Sequence, residues 1–246
     1  MNIDLCVKSS AVYVTNAMDQ QALSAVVPTV RLVHDKIIPA AMKRRMPAMS
    51  RLVLGAVSDF TYCQSHQYAI FSSRHGELEQ RWHCVGATQQ GLMLSPAVFS
   101  QSVHNTPAGL LSILFSWQAP SLSIAHEQHL SAALVQAWCY LQQHKEHRVL
   151  VVVYEPQLPA FLQQRLNNEL PSMAQVFSVS LDSPNLRLST AEGFDKNTNN
   201  NFYHNEIVFY NNMQPELGLI QFDSDQPEAW AWQLLTLEEP KDDTSR

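Results

Sequence analysis

Glycine is scarce, with 7 in 246 residues. An enzyme that wraps its backbone around phosphates or oxyanions commonly needs more of them, because close approach and positive φ demand a residue without a Cβ. Consistently, the chain has no GxSxG elbow, P-loop, GxGxxG or DxDxDG loop. Its 4 cysteines, Cys6, Cys63, Cys84 and Cys139, form no CxxC pair; their scattered spacing predicts reduced, mostly buried thiols rather than disulfides or a zinc knuckle. Charged residues make up only 15% of the chain and the formal net charge is −6. That argues against nucleic acid as a partner, since its recognition needs clustered positive charge. The one basic cluster, Lys43, Arg44 and Arg45, reads as solvated residues ahead of a helix. No run of about 18 apolar residues is long enough to span a bilayer, and the first ten residues show no basic segment leading into an apolar run. The expectation is a cytosolic protein with no signal peptide and no membrane span.

What is present is apolar bulk. Hydrophobic residues are 46% of the chain, enough for a large core, and a surface so poor in charge is one that a partner can cover. No linker marks a second unit, so residues 1–240 are expected to form a single domain, with a frayed tail over 241–246.

In "MPAMSRLVLGAVSDF", Pro47 suits a first helical position and Met49, Leu52, Val53, Ala56, Val57 and Phe60 recur at steps of three and four. "QYAIFSS" reads as a short strand turned by "RHGE" at Gly76, and a less regular segment follows it. In "SVHNTPAGLLSI", Thr106 is placed to cap a helix that Pro107 opens. The periodicity of Leu130, Ala133, Leu134, Ala137, Trp138 and Leu141 predicts a helix over 128–144, with "HKEHR" ending it in solvent. "VLVVVYE" is a continuous β-branched run, as in a parallel strand covered on both faces. Strand, helix, strand in this order places the corner at Ala125 to Gln128 at the carboxyl end of the first strand. Pro156 and Pro159 precede a shorter helix in "AFLQQRLNNEL", "AQVFSVSLD" reads as a strand near an edge, and 189–205 reads as a long Asn-rich loop, either mobile or ordered by a partner. The apolar runs "EIVFY", "LGLIQF" and "AWAWQLLTL" follow.

The corner holds His126, Glu127, Gln128 and His129, with no hydroxyl until Ser131 and no thiol until Cys139. "HEQH" misses the zincin spacing by one residue and no third ligand follows, so no metal is expected.

"APSLSIAHEQHLSAALVQAW" resembles the strand, nucleophile corner and helix of β-ketoacyl synthases, whose usual form is G-P-S-x-S-x-x-x-A-C followed by a small-residue helix. Pro120, Ser121, Ser123 and Ile124 match that pattern, Ala119 replaces its glycine, and Gln128 takes the position of the acyl-accepting cysteine. R-R-x-x-x-x-S-R from Arg44, S-R-x-G-E from Ser73 and S-V-H-N-x-x-A-G from Ser102 resemble synthase-like N-terminal domains of the chain-length-factor type found in aryl polyene pathways. The similarity runs from about Arg44 through Glu155.

The resemblance implies a truncated thiolase-like α/β fold, mostly its N-terminal half, with a mixed sheet flanked by helices. It implies no catalytic residue, since Gln128 removes the thiolate and the two histidines supplied by a synthase's second half have no counterpart; only His204 follows Glu155. At the corner, Gln128 can donate and accept hydrogen bonds at the helix start, and Glu127 suits the positive end of its dipole. Pro120, Ser121, Leu122, Ser123 and Ile124 are the implied interface with a full-length β-ketoacyl-ACP synthase. Phe99, Ser102, His104, Asn105, Leu110 and Leu114 are the implied motif and cavity residues, with acyl carrier protein reached through the complex and no cofactor bound. Two other readings stay open: a stand-alone acyl-transfer or thioester-hydrolysing enzyme using Ser131, Cys139 or a corner histidine such as His126, and a module that only docks carrier protein.

Overall fold

A computed structural model describes residues 2–24, 30–60, 65–166, 170–190, 220–221 and 230–234. In chain order they form β1 (Asn2–Val14), α1 (Ala17–Ser24), β2 (Val30–Leu32), α2 (Ala40–Lys43), α3 (Ala48–Asp59), β3 (Tyr68–Ser73), α4 (Leu78–Gln89), α5 (Pro96–Ser100) and α6 (Thr106–Leu114). After these come β4 (Ser121–Ala125), α7 (His129–Gln143), β5 (Val149–Glu155), α8 (Ala160–Leu166), β6 (Met173–Ser180), β7 (Leu186–Thr190), β8 (Ile220–Gln221) and β9 (Trp230–Leu234).

The strands join in one mixed sheet with the order β4-β3-β5-β6-β1-β7-β9-β8, β2 pairing with β1 off that path. β3 is parallel to both β4 and β5, whereas β6 runs antiparallel to β5 and to β1. Side-chain alternation divides the sheet's burial between two faces. Ala69, Phe71, Leu150, Val152 and Val176 point to the face covered by α3 and α6. Ile70, Val149, Val151, Phe177 and Val179 point to the opposite face, which α7 covers through Leu130, Ala133, Leu134, Ala137 and Leu141. β5 is buried at every position, which explains why its sequence is apolar throughout rather than alternating. Gly55 lets α3 lie on the segment after β2, since a Cβ there would collide with the Val33 side chain.

The stripe predicted for α3 is buried in full, from Met49 to Phe60, and α7 and β3 lie where their sequences placed them. Other expectations are corrected. Pro47 is the residue before the first helical position, and Thr106 is itself the first residue of α6. The Thr106 hydroxyl donates back to the Val103 carbonyl at 2.8 Å, so it does not cap the helix. The segment read as less regular contains α4, and α5 follows it. α4 buries none of its residues, so it carries no apolar stripe for periodicity to reveal. β6 lies inside the sheet between β5 and β1 rather than near an edge; Ser178, part of its misleading polar alternation, is buried with its hydroxyl 2.8 Å from His66 Nε2.

The thiols are also less buried than expected. Cys139 is exposed, and Cys6 and Cys84 are half-buried, whereas Cys63 lies outside the described residues. Ser189 and Thr190 of the supposed Asn-rich loop belong to β7; the rest of that loop and the tail 241–246 lie outside the described residues. β1, which the sequence reading did not assign, is central to the sheet. No described helix is long and apolar enough to cross a membrane.

Candidate functional site at the carboxyl ends of the parallel strands

β4 is held by β3 through a parallel register from Ala69↔Ser121 to Ser73↔Ala125, and it ends the sheet. Its far edge therefore has no neighbouring strand among the described residues. Leu122 and Ile124 pack inward on the α7 core. Ser121 is exposed and Pro120 beside it is also exposed, while Ser123 is half-buried. The five residues expected at a partner interface thus line one open edge.

At the end of β4 the chain turns through His126 and Glu127, both exposed, into α7. Gln128 is the residue before the helix and half-buried. Its backbone N–H donates to His126 Nδ1 at 3.0 Å, and its side chain makes no capping bond. Ser131 is buried one turn into α7 and Cys139 is exposed farther along it. The structure therefore does not gather Ser131, Cys139 and His126 into one constellation.

Behind the corner lies a buried polar network that joins the three motif fragments. Glu155, 1% exposed at the carboxyl end of β5, accepts hydrogen bonds from the Ser73 hydroxyl at 3.2 Å and the His75 N–H at 3.3 Å, and a short one from the Arg74 N–H. His75 Nδ1 is 3.0 Å from Oε2, the oxygen its own N–H also reaches, and His129 Nδ1 is 3.7 Å from Oε1, which Ser73 and Arg74 share. Burial pushes this carboxyl up, but the charge of His129, the His75 bond and the Arg74 N–H outweigh it and hold Glu155 below the usual carboxylate range.

Glu77, also buried, accepts a short hydrogen bond from Ser50 of α3. Here burial dominates and pushes the carboxyl up to about 7. His104 holds the end of β4 through Nε2, 2.8 Å from the Ile124 carbonyl, and its backbone carbonyl accepts from the Tyr154 hydroxyl at 3.2 Å. Gly76, at φ +55°, lies against the His104 ring, where a Cβ would come within 2.5 Å of Nδ1. Ser50, Gly76, Glu77 and His104 thus come from the three separate motif runs and meet in one layer. Sequence reasoning marked the runs but missed Glu155, whose signal was a carboxylate closing an otherwise apolar strand.

The other predicted residues divide by position. Ser102 is buried and its hydroxyl donates to the Phe99 carbonyl at 2.8 Å. Asn105 is exposed ahead of α6, and Leu110 and Leu114 are half-buried against the α3 core. Phe99 is 58% exposed. It belongs to the connection between β3 and β4, which also exposes Trp82, Val85, Leu92, Met93, Val103 and Ile113. So many large apolar side chains on one connection mark a surface suited to a partner.

A family model described as β-ketoacyl synthase, N-terminal domain, matches residues 16–237. No curated protein shows a significant match. Among solved structures, a chain of the ketosynthase (ApeO) in complex with its chain length factor (ApeC) from Xenorhabdus doucetiae superimposes with a TM-score of 0.73 at 20% identity, over 94% of this chain and 99% of that one. A chain of the ishigamide ketosynthase/chain length factor gives a TM-score of 0.51 at 15% identity over 62% of this chain. The match covers 51% of that chain, about half its length. The fold is thiolase-like and ketosynthase-like, a mixed sheet flanked by helices, as the motif resemblance implied.

Proposed function

The chain belongs to the β-ketoacyl synthase N-terminal-domain family, and from that premise we propose that it is a non-catalytic, chain-length-factor-like subunit. In this reading it forms a heterodimer with a full-length β-ketoacyl-ACP synthase in the cytoplasm and shapes the cavity in which an acyl or polyene chain grows during aryl polyene biosynthesis. The partner's cysteine and histidines perform the decarboxylative condensation on chains delivered by acyl carrier protein. This subunit contributes no nucleophile at Gln128 and no cofactor.

The observation that carries the reading is the open edge of β4 leading directly into the Gln128 corner. An edge strand offers a row of backbone donors and acceptors that another sheet can complete, and the apolar connection through Phe99 extends the surface. The described solved relative, a ketosynthase in complex with its chain length factor, supports the same pairing. A glutamine cannot form a thioester, so the corner serves as structure rather than as acyl acceptor. Phe99, Leu110 and Leu114 are the residues assigned to the cavity wall.

Co-expression with a full-length ketosynthase from the same source, mass determination of the purified species and condensation assays on malonyl-loaded carrier protein test the proposal. The expected result is a one-to-one complex, active only with both chains and unaffected by Gln128→Ala. At least one of Phe99→Trp, Leu110→Trp and Leu114→Trp should shorten the product. Thioester turnover by this chain alone, lost on substitution of Gln128 or His126, overturns it.

A further inference from the structure

A second site lies on the other side of β3 from the open edge. A cavity of about 310 Å3 is bounded by Gly76, Glu77 and Trp82 after β3 and by Pro156, Leu158 and Pro159 after β5. β3 and β5 are neighbouring parallel strands, yet the chain leaving β3 turns toward β4 on one side and the chain leaving β5 turns toward β6 on the other. Connections that diverge in this way open a crevice outside the carboxyl ends of the strands, where open α/β sheets hold their ligands. The volume is at the lower end of the range for small-molecule pockets, roughly 300–1,000 Å3.

The charged groups of the lining are acidic. Glu77 and Glu79 contribute carboxyl groups, His83 is its one basic side chain, and no lysine or arginine lines the cavity. Arg81, on the same helix, donates instead to the His75 carbonyl oxygen. His83 is 3.9 Å from Glu79, both well exposed. Trp82 is 52% exposed, with the Phe161 ring 5.2 Å from its own, so an aromatic pair stands at the rim. Pro156, Leu158 and Pro159 supply apolar wall.

We infer that this cavity binds a small organic ammonium compound, its cation seated against Glu77 and Glu79 and its apolar part against Trp82 and Leu158. The site adjoins the apolar connection suited to a partner through Trp82, but the inference does not depend on the chain-length reading. Burial pushes Glu77 up to about 7, with Glu79 adding to the effect and Ser50 and Arg81 opposing it. From β5, Tyr154 faces the same carboxyl, and burial together with the charges of Glu77 and Glu155 pushes its hydroxyl further up, so it stays neutral. Cation binding therefore competes with one proton at Glu77. Affinity is about tenfold weaker at pH 6 than at pH 8, and binding near pH 6 releases a proton.

Calorimetric titration of the full chain with phenethylammonium chloride, at both pH values and in buffers of different ionisation enthalpy, tests this. The proposal expects saturable binding at pH 8, the tenfold loss at pH 6, proton release, and at least fivefold weaker binding of the neutral isostere 2-phenylethanol. Glu77→Gln should remove the proton release and cost about tenfold in affinity. Trp82→Ala changes an exposed residue and leaves the fold intact, and it should weaken binding severalfold. Absence of binding at pH 8, tighter binding at pH 6, equal affinity for 2-phenylethanol, or unchanged affinity in the two variants overturns the inference.

Discussion

His104 Nε2 lies 2.8 Å from the carbonyl oxygen of Ile124, so one imidazole ties the β3–β4 connection to the end of the open edge strand. His104→Ala removes that bond and opens space beside Gly76. A loss of about 1–2 kcal/mol is expected in urea unfolding. Gly76→Ala alone should cost about 1–3 kcal/mol, from its positive φ and the clash with the ring. In the His104→Ala background the clash contribution disappears and only the backbone strain remains, so a double-mutant cycle separates the two.

Glu155 sets the acid limb of stability. Its folded pKa lies below the ordinary 4.5, so the unfolded chain takes up the proton first on acidification. Its contribution is complete above about pH 4.5 and is lost as pH falls through the lowered value. Glu155→Gln should flatten that limb and cost about 3–5 kcal/mol at pH 7, because His129 loses its counter-charge and the Arg74 and His75 N–H groups lose a charged acceptor. Unfolding curves from pH 3 to 7 measure both.

Glu77 has the opposite sign. With a folded value of about 7 against the ordinary 4.5, the native state binds more protons in that window, and stability falls as pH rises through it. A shift of this size corresponds to about 3 kcal/mol at most. Glu77→Gln keeps an acceptor for the Ser50 hydroxyl, so it should stabilise the chain by about 1–3 kcal/mol at pH 8 and leave stability unchanged below pH 5. Melting temperatures across that range read the difference.

The two faces of the connection through α4–α6 should respond differently to substitution. Leu111 is 1% exposed, and Leu111→Ala should cost about 2–5 kcal/mol. Phe99 is largely exposed, and Phe99→Asp should leave the unfolding free energy of the isolated chain within about 0.5 kcal/mol while preventing co-purification with the ketosynthase.

The parts legible in the sequence are those with strong local periodicity. α3 and α7 each bury one wide stripe and β5 is apolar at every position, so 3.6-residue steps and continuous β-branching identified them. α4 stayed hidden because Trp82 and Val85 remain exposed on it and no stripe forms. β6 was misplaced because Gln175, Ser178 and Ser180 imitate the alternation of an edge strand. The polar layer was legible only in fragments: Ser50 and Glu77 are 27 residues apart and Ser73 and Glu155 are 82 apart, distances over which spacing carries no geometric information. The motif resemblance brought those fragments under one family, and the fold then showed that they touch.

The place of β1 in the sheet has a consequence for synthesis of the chain. Apart from the three-residue β2, its partners are β6, which begins at Met173, and β7, which begins at Leu186. The ribosome therefore releases the sheet's central strand long before either of its antiparallel neighbours. At about 5–20 residues per second, Val7 waits roughly 10–35 s for β6 to emerge, and Ile3 and Leu5 about as long for β7. Throughout that interval an apolar strand stands without its antiparallel partners, open to aggregation or to chaperone capture.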